Sequence, residues 1–215
     1  MPNESVVHVV DDDEAMRQSL AFLLGSARIA VRTHESATAF LDALGGTMPG
    51  CVITDLSMPG ISGIELLRRL RQLGAAPPVI VITGHGDVPL AVEAMKLGAV
   101  EFLEKPFDDE VLLAAVKSAL NRHQRDSRQE AERAEIKERL DGLSTRERQV
   151  LGGLVAGRPN KIIAFDLGIS PRTVEIYRAN VMTKMRASSL SDLVRMALLA
   201  GLLTDDAQQA DLPRP

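Results

Sequence analysis

Cysteine, aromatic rings and long apolar runs are all scarce in this chain. Of 215 residues, one is cysteine, one tyrosine and five phenylalanine, and tryptophan is absent. A lone Cys51 excludes a disulfide framework and any multi-cysteine metal cluster. So few rings argue against modules that stack bases on aromatic side chains, such as RRM or OB folds. No apolar run approaches the roughly 20 residues of a membrane span, so no membrane partner is expected. The start, Met1-Pro2-Asn3-Glu4, lacks the basic and apolar segments of a secretory signal, which makes the cytoplasm the expected address. Surplus positive charge is missing too. With 25 basic and 29 acidic groups the net charge is −4, which taken alone argues weakly against nucleic acid as a partner.

What is present is an ordinary globular composition, 45% hydrophobic and 25% charged, in a length that allows one large domain or two small ones. The charge is unevenly spread. Residues 1–122 hold 16 acidic and 10 basic groups, net −6, and residues 123–140 hold five of each. Residues 141–203 hold 5 acidic and 9 basic, net +4, and the last twelve residues are net −2. An acidic half joined to a basic half predicts two domains with different partners.

The first half alternates in texture. Apolar runs at Ser5–Val10, Ile29–Thr33, Cys51–Thr54, Val79–Thr83 and Val100–Leu103 read as strands. Helical spacing lies between them: Met16, Leu20, Leu23 and Leu24, then Ser36–Leu44, then Leu66, Leu67 and Leu70, then Pro89–Leu97 closed by Gly98. A further helix begins near Asp108. This alternation predicts an α/β doubly wound, five-stranded parallel sheet of the flavodoxin-like kind over residues 1–122. Residues 123–140 are charged and contain neither Gly nor Pro, with opposite charges three or four apart, as in Arg128–Glu132 and Glu135–Arg139. They read as an exposed helical linker or, alternatively, a flexible solvated one. From residue 141 to 205 the texture is all-helical, with segments at Thr145–Ala156, Lys161–Leu167, Pro171–Arg186 and Leu190–Leu202. A tail at 206–215 is expected to be disordered.

Carboxylates sit where strands end: Asp11 and Asp12 after the first, Asp55 after the third. Thr83 ends the fourth strand and Lys105 follows the fifth. In an open parallel sheet those ends share one edge, so five polar groups should converge there. Clustered carboxylates repel unless a hard cation neutralises them, and Mg²⁺ favours one or two carboxylates with water and phosphate oxygens. A carboxylate beside Mg²⁺ can attack a phosphoryl group, and a lysine and a hydroxyl can hold its oxygens. Asp13 fits an N-cap. Four histidines, at 8, 34, 85 and 123, look scattered and suggest no metal site. Cys51 should be a buried small hydrophobe, and Gly84 and Gly86 suggest a mobile loop.

The segments VVDDD (9–13), TDLSMPGISG (54–63), VIVITGHGD (79–87) and EFLEKPF (101–107) make residues 5–122 resemble the receiver domain of two-component response regulators. That resemblance implies a chain that is not an enzyme, although it promotes its own phosphoryl transfer and slow dephosphorylation. It implies Asp55 as phospho-acceptor from a kinase phosphohistidine. Asp12, Asp55 and the Ser57 carbonyl would ligate Mg²⁺, with Asp11 acting through water. Lys105 would pair with the phosphate, and the Lys105–Pro106 bond would be cis. Thr83 and Phe102 would be a switch pair, and the face of the fourth helix and fifth strand would dimerise.

In the basic half, a short helix ends at Gly168, and Ser170 with Pro171 starts the next. This describes a helix-turn-helix. On its second helix Val174, Tyr177, Val181 and Met185 form an inward stripe. Arg172, Thr173, Glu175, Ile176, Arg178, Ala179 and Asn180 form a face that can enter a major groove. LSTRERQVL (143–151) and NKIIAFDLGISPRTVEIYRANVMTKM (160–185) resemble the DNA-binding domain of the LuxR/FixJ class. One departure is Asn160-Lys161, where many relatives have a Lys/Asn-Glu-Ile start; the missing acid removes one intradomain ion pair that the resemblance would allow, but not the fold. The resemblance implies promoter DNA, RNA polymerase, an oxygen-sensing FixL-like sensor histidine kinase and a homodimer formed on phosphorylation. The implied targets are nitrogen-fixation or microaerobic genes. Two rival readings remain: an aspartate-nucleophile phosphatase, disfavoured because Asp55-Leu56-Ser57 lacks a second Asp, and a phosphorylation-independent DNA-binding regulator.

Overall fold

A computed structural model describes residues 6–44, 50–72, 77–84 and 88–202. The loop expected at Gly84 and Gly86 lies partly outside these residues, as does His85, and the tail at 206–215 lies wholly outside them. The chain forms two compact units, Met1–Ser127 and Arg128–Pro215.

In the first unit, β1 (Val7–Val10), β2 (Val31–His34), β3 (Cys51–Asp55), β4 (Val79–Thr83) and β5 (Glu101–Glu104) form one parallel sheet, in the order β2-β1-β3-β4-β5. The connecting helices are α1 (Glu14–Ser26), α2 (Ala37–Ala43), α3 (Gly63–Gln72) and α4 (Val88–Lys96). Every residue of β3 and β4 is buried. Helices cover both faces, which is why these strands read as unbroken apolar runs. Successive residues point to opposite faces. Val79 and Val81 join Phe40, Leu66 and Leu70 in one core cluster, and Ile80 and Ile82 join Leu20, Leu24, Leu112 and Val116 in the other. Each such fully buried aliphatic side chain contributes about 1.5–3 kcal/mol. The edge strands β2 and β5 are largely uncovered.

Helix α5 runs unbroken from Asp109 to Asp141. The segment that reads as a linker is therefore helical, but its last turns are core rather than exposed surface. Ile136 and Leu140 are buried in the cluster of the second unit. Of the two ion pairs expected along it, Arg139–Glu135 forms at 2.5 Å, whereas Glu132 pairs instead with Arg195, at 2.7 Å. The second unit continues with α6 (Thr145–Val155), α7 (Asn160–Leu167), α8 (Pro171–Met185) and α9 (Leu190–Leu199). Among the described residues no helix is long and apolar enough to cross a membrane.

Candidate functional site

The sheet order puts the C-terminal ends of β1 and β3 side by side, with β4 next to β3. Asp11 leaves β1 with its N–H donating to the His34 carbonyl, 3.2 Å. Asp55 is the last residue of β3. The Lys105 N–H donates to the Thr83 carbonyl, 2.7 Å, which ties the segment after β5 to the end of β4. The Lys105–Pro106 bond is cis. The Lys105 ammonium stands 2.6 Å from Asp55 Oδ1 and 3.1 Å from Asp11 Oδ2. The remaining oxygens are also held: Asp55 Oδ2 accepts from the Ser57 N–H at 2.7 Å, and Asp11 Oδ1 from the Asp13 N–H at 2.8 Å.

The charges do not balance. Two buried carboxylates face one ammonium. Burial pushes the Asp11 carboxyl above its ordinary range, against the Asp13 N–H and Lys105, which pull it down. Burial alone would lower the Lys105 ammonium, but its hydrogen bonds to Asp55 and Asp11, and their charges, hold it above its usual value. A site built this way attracts positive charge and resists losing its lysine proton.

Of the five polar groups expected to converge, the structure joins Asp11, Lys105 and Asp55 directly. Thr83 lies buried at the end of β4, and Asp12 is exposed beside Asp11. Phe102 is half-buried against the cluster that contains Leu66 and Val81. Asp13 is the N-cap of α1, accepting from the Ala15 N–H at 2.9 Å. Among the described residues no three His, Cys, Asp or Glu side chains are grouped to hold a metal ion. A hard divalent cation needs only one or two carboxylates besides carbonyl, water and phosphate oxygens. The surplus negative charge and the all-oxygen donors of this edge fit one.

Several supporting residues escape a reading of the strand ends alone. Gly63 opens α3 so close to β3 that an added Cβ would lie 2.4 Å from the Asp55 carbonyl oxygen. Its place in the TDLSMPGISG segment was visible, but its contact was not. Arg17, one turn into α1, donates to the carbonyls of Asp11 and Asp12 at 2.8 and 2.9 Å. The histidines are not all scattered. His8 Nδ1 lies 2.9 Å from His34 Nε2 with the rings stacked, and both meet Phe40 edge-on. Burial drops His8 to about 4, with His34 and Arg32 adding to the effect, and burial also lowers His34. Cys51 is fully buried and its thiol is pushed up to about 12, so it is structural.

The second unit builds its candidate face on α8. Gly168 closes α7 in the left-handed conformation, φ 64°, which glycine adopts without strain. Ser170 then caps α8 by accepting from the Thr173 N–H at 3.1 Å, with Pro171 at the first position. Val174, Val181 and Met185 are completely buried and Tyr177 packs beside them. Arg172, Glu175, Ile176, Ala179 and Asn180 are exposed, whereas Thr173 and Arg178 are half-buried. The Thr173 hydroxyl is also engaged, 2.8 Å from Ser170 Oγ. Behind this face, Glu147 closes a capping box on α6 with Ser144 and accepts from Lys184 at 2.7 Å. The Lys184 and Ser144 hydrogen bonds hold its carboxyl down at about 2.

Comparison with known proteins agrees with both halves. Residues 7–117 match the response regulator receiver domain family, and residues 141–197 match the bacterial regulatory proteins of the luxR family. The chain is 64% identical to the transcriptional regulatory protein FixJ of Azorhizobium caulinodans over 208 residues, 96% of this chain and 99% of that protein. It is 56% identical to FixJ of Rhizobium meliloti, over 91% of this chain and 96% of that protein. Among solved structures, response regulator StyR matches with a TM-score of 0.81 at 39% identity, covering 90% of this chain and 98% of that one. Full-length FixJ from B. japonicum matches with a TM-score of 0.58 at 56% identity, covering 93% and 98%. The chain belongs to the two-component response regulators that join a receiver domain to a luxR-family DNA-binding domain, and within them it is close to FixJ.

Proposed function

We propose that this regulator is switched by phosphorylation of Asp55, and that the phosphorylated form dimerises on promoter DNA and activates transcription. The observation that carries the reading is the Asp11–Lys105–Asp55 bridge, in which two buried carboxylates share one ammonium. An Asp55 oxygen forms the new P–O bond as the P–N bond of the donor's phosphohistidine breaks, and the donor imidazole takes up a proton. Mg²⁺, when bound, neutralises charge on the transferring phosphoryl group. Asp11, Asp12, Asp55 and the Ser57 carbonyl are the groups that would hold it. Lys105, already 2.6 Å from Asp55, holds a phosphoryl oxygen with little movement, and the Thr83 hydroxyl holds another. Phe102, half-buried against the core cluster, turns inward as Thr83 moves to the phosphate. The donor is a FixL-like sensor histidine kinase, RNA polymerase is the final partner, and nitrogen-fixation or microaerobic genes are the targets. These assignments are supported by the identity to the FixJ proteins.

On the DNA side, Arg172, Glu175, Ile176, Ala179 and Asn180 supply the face that enters the major groove, and Thr173 and Arg178 act from its margin. Glu175 accepts from a cytosine amino group and is repelled by phosphate. Two such units in one dimer bind through raised effective concentration.

The test is Asp55→Asn. With acetyl phosphate and Mg²⁺, the parent chain should take up phosphate and shift to a dimer by light scattering. The variant should do neither. Phosphate-dependent dimerisation that persists in the variant overturns the proposal.

A further inference from the structure

Within the second unit, the last turns of α5, helix α6 and the end of α9 line a partly open cavity of about 550 Å³. Its lining contains no residue of the α8 face. Its floor is apolar, formed by Leu151, Val155 and Leu199. Three cations, Arg133, Lys137 and Arg148, and one carboxylate, Asp141, line it. Arg148 is committed, donating to the Leu143 and Asp141 carbonyls and lying 3.4 Å from Asp141 Oδ1. Arg133 and Lys137, one turn apart on α5, have no hydrogen-bond or ion-pair partner among the described residues. The cavity thus joins an apolar floor to two exposed positive charges that have no partner among the described residues.

A second observation concerns Gly152 and Gly153 in the last turn of α6, where glycine is a poorer helix former than alanine. Packing explains Gly153: an added Cβ would come within 2.7 Å of Ile163 Cγ1. It does not explain Gly152, where a Cβ would meet nothing within 4 Å. Gly152 lines the cavity, and any side chain there would project into open space.

We propose that this cavity binds a small amphipathic carboxylate, with its apolar body on Leu151, Val155 and Leu199 and its carboxylate between Arg133 and Lys137. The volume falls in the usual range for small-molecule sites, roughly 300–1,000 Å³, and the charge selects an anion.

The experiment titrates the full chain with decanoate below its micelle threshold, using calorimetry, with decanol and decylamine as controls. Saturable one-to-one binding of decanoate is expected, with decanol weaker by about tenfold and decylamine not bound. Gly152→Leu places a side chain in the cavity and should weaken decanoate by at least about tenfold, with circular dichroism unchanged. Arg133→Ala with Lys137→Ala alters only exposed side chains and should bring decanoate down to the level of decanol. Absent or non-saturable binding, or equal binding by Gly152→Leu, overturns the proposal. So does equal affinity for decanol. Binding that appears only after removal of residues 203–215 overturns it as well, because it gives the cavity to the chain's own end.

Discussion

In the receiver, Lys105 stands between two buried carboxylates, 2.6 Å from Asp55 and 3.1 Å from Asp11. In the DNA-binding unit, Lys184 meets one carboxylate, Glu147, at 2.7 Å. Both lysines contact buried acids far away in sequence, yet the arrangements differ in charge. The Glu147 pair is neutral overall, and its carboxylate also caps α6 through the Ser144 N–H. It is a piece of scaffold. The Lys105 cluster keeps a surplus negative charge on buried oxygens, an arrangement that is costly to fold and that concentrates at functional sites. The imbalance, more than the presence of ion pairs, separates a reactive site from a structural brace.

The sharpest way to break that contrast is to remove one acid from each cluster. Glu147→Ala takes away both the cap acceptor and the partner of Lys184, and should lower the stability of the DNA-binding unit by about 2–3 kcal/mol. Tyr177 is the sole tyrosine of the chain and packs on that unit's core, so its fluorescence during urea unfolding reports that unit alone. Asp55→Asn should leave the Tyr177 transition in place and should not lower receiver stability by circular dichroism, because it relieves the surplus charge. A receiver loss as large as the Glu147→Ala loss would make the Asp55 cluster a brace as well.

How much of this was readable beforehand depends on how local the cause is. Strand ends, the Gly168 stop and the Ser170-Pro171 start follow from short-range rules, and the elements lie within a few residues of where those rules put them. The Asp11, Asp55 and Lys105 convergence was legible because parallel topology brings strand ends together regardless of detail. The His8–His34 contact was not. It depends on the β1–β2 register, which sets His8 opposite Arg32 and His34 opposite Val10, so the two rings meet only diagonally. The Glu147–Lys184 pair and the close approach of Gly63 to Asp55 depend on helix packing, which no spacing encodes. Helical angle alone places Thr173 and Arg178 on the same face as Arg172 and Asn180. The cap at Ser170 engages Thr173, and the surrounding packing half-covers both.

The histidine pair offers an intermediate effect that again divides the two units. His8 titrates at about 4 instead of 6.5. A base whose folded pKa lies below its unfolded value contributes stability that is complete above pH 6.5 and is lost as the pH falls toward 4. His34 is only half-buried, so solvent screens part of the effect, and about 1–2 kcal/mol of receiver stability should disappear across that window. His8→Phe keeps a ring against Phe40 and should flatten the dependence. All four histidines precede residue 128, so Tyr177 unfolding should lack this component. An equal histidine-type slope in the Tyr177 signal would contradict the assignment to the receiver.

The smallest effect is expected at Arg195, although it has more charged partners than Lys184. It lies 2.7 Å from Glu132 and 3.1 Å from Asp192. On a count of ion pairs it outranks the Glu147 brace. It should matter far less, because Arg195 and Glu132 are well exposed, whereas Glu147 retains only 4% of its surface. Water and salt screen an exposed pair, and holding two long side chains in one geometry costs entropy that offsets the attraction. Asp192 keeps its contacts with the Ser188 N–H and hydroxyl in any case, at 3.0 and 3.1 Å. Arg195→Ala should therefore leave the Tyr177 midpoint unchanged within error at physiological salt, while Glu147→Ala moves it clearly. A comparable loss at Arg195 would mean that proximity of charge, and not burial, holds the DNA-binding unit together. The contrast between a balanced buried brace and an unbalanced buried site would then need a different physical basis.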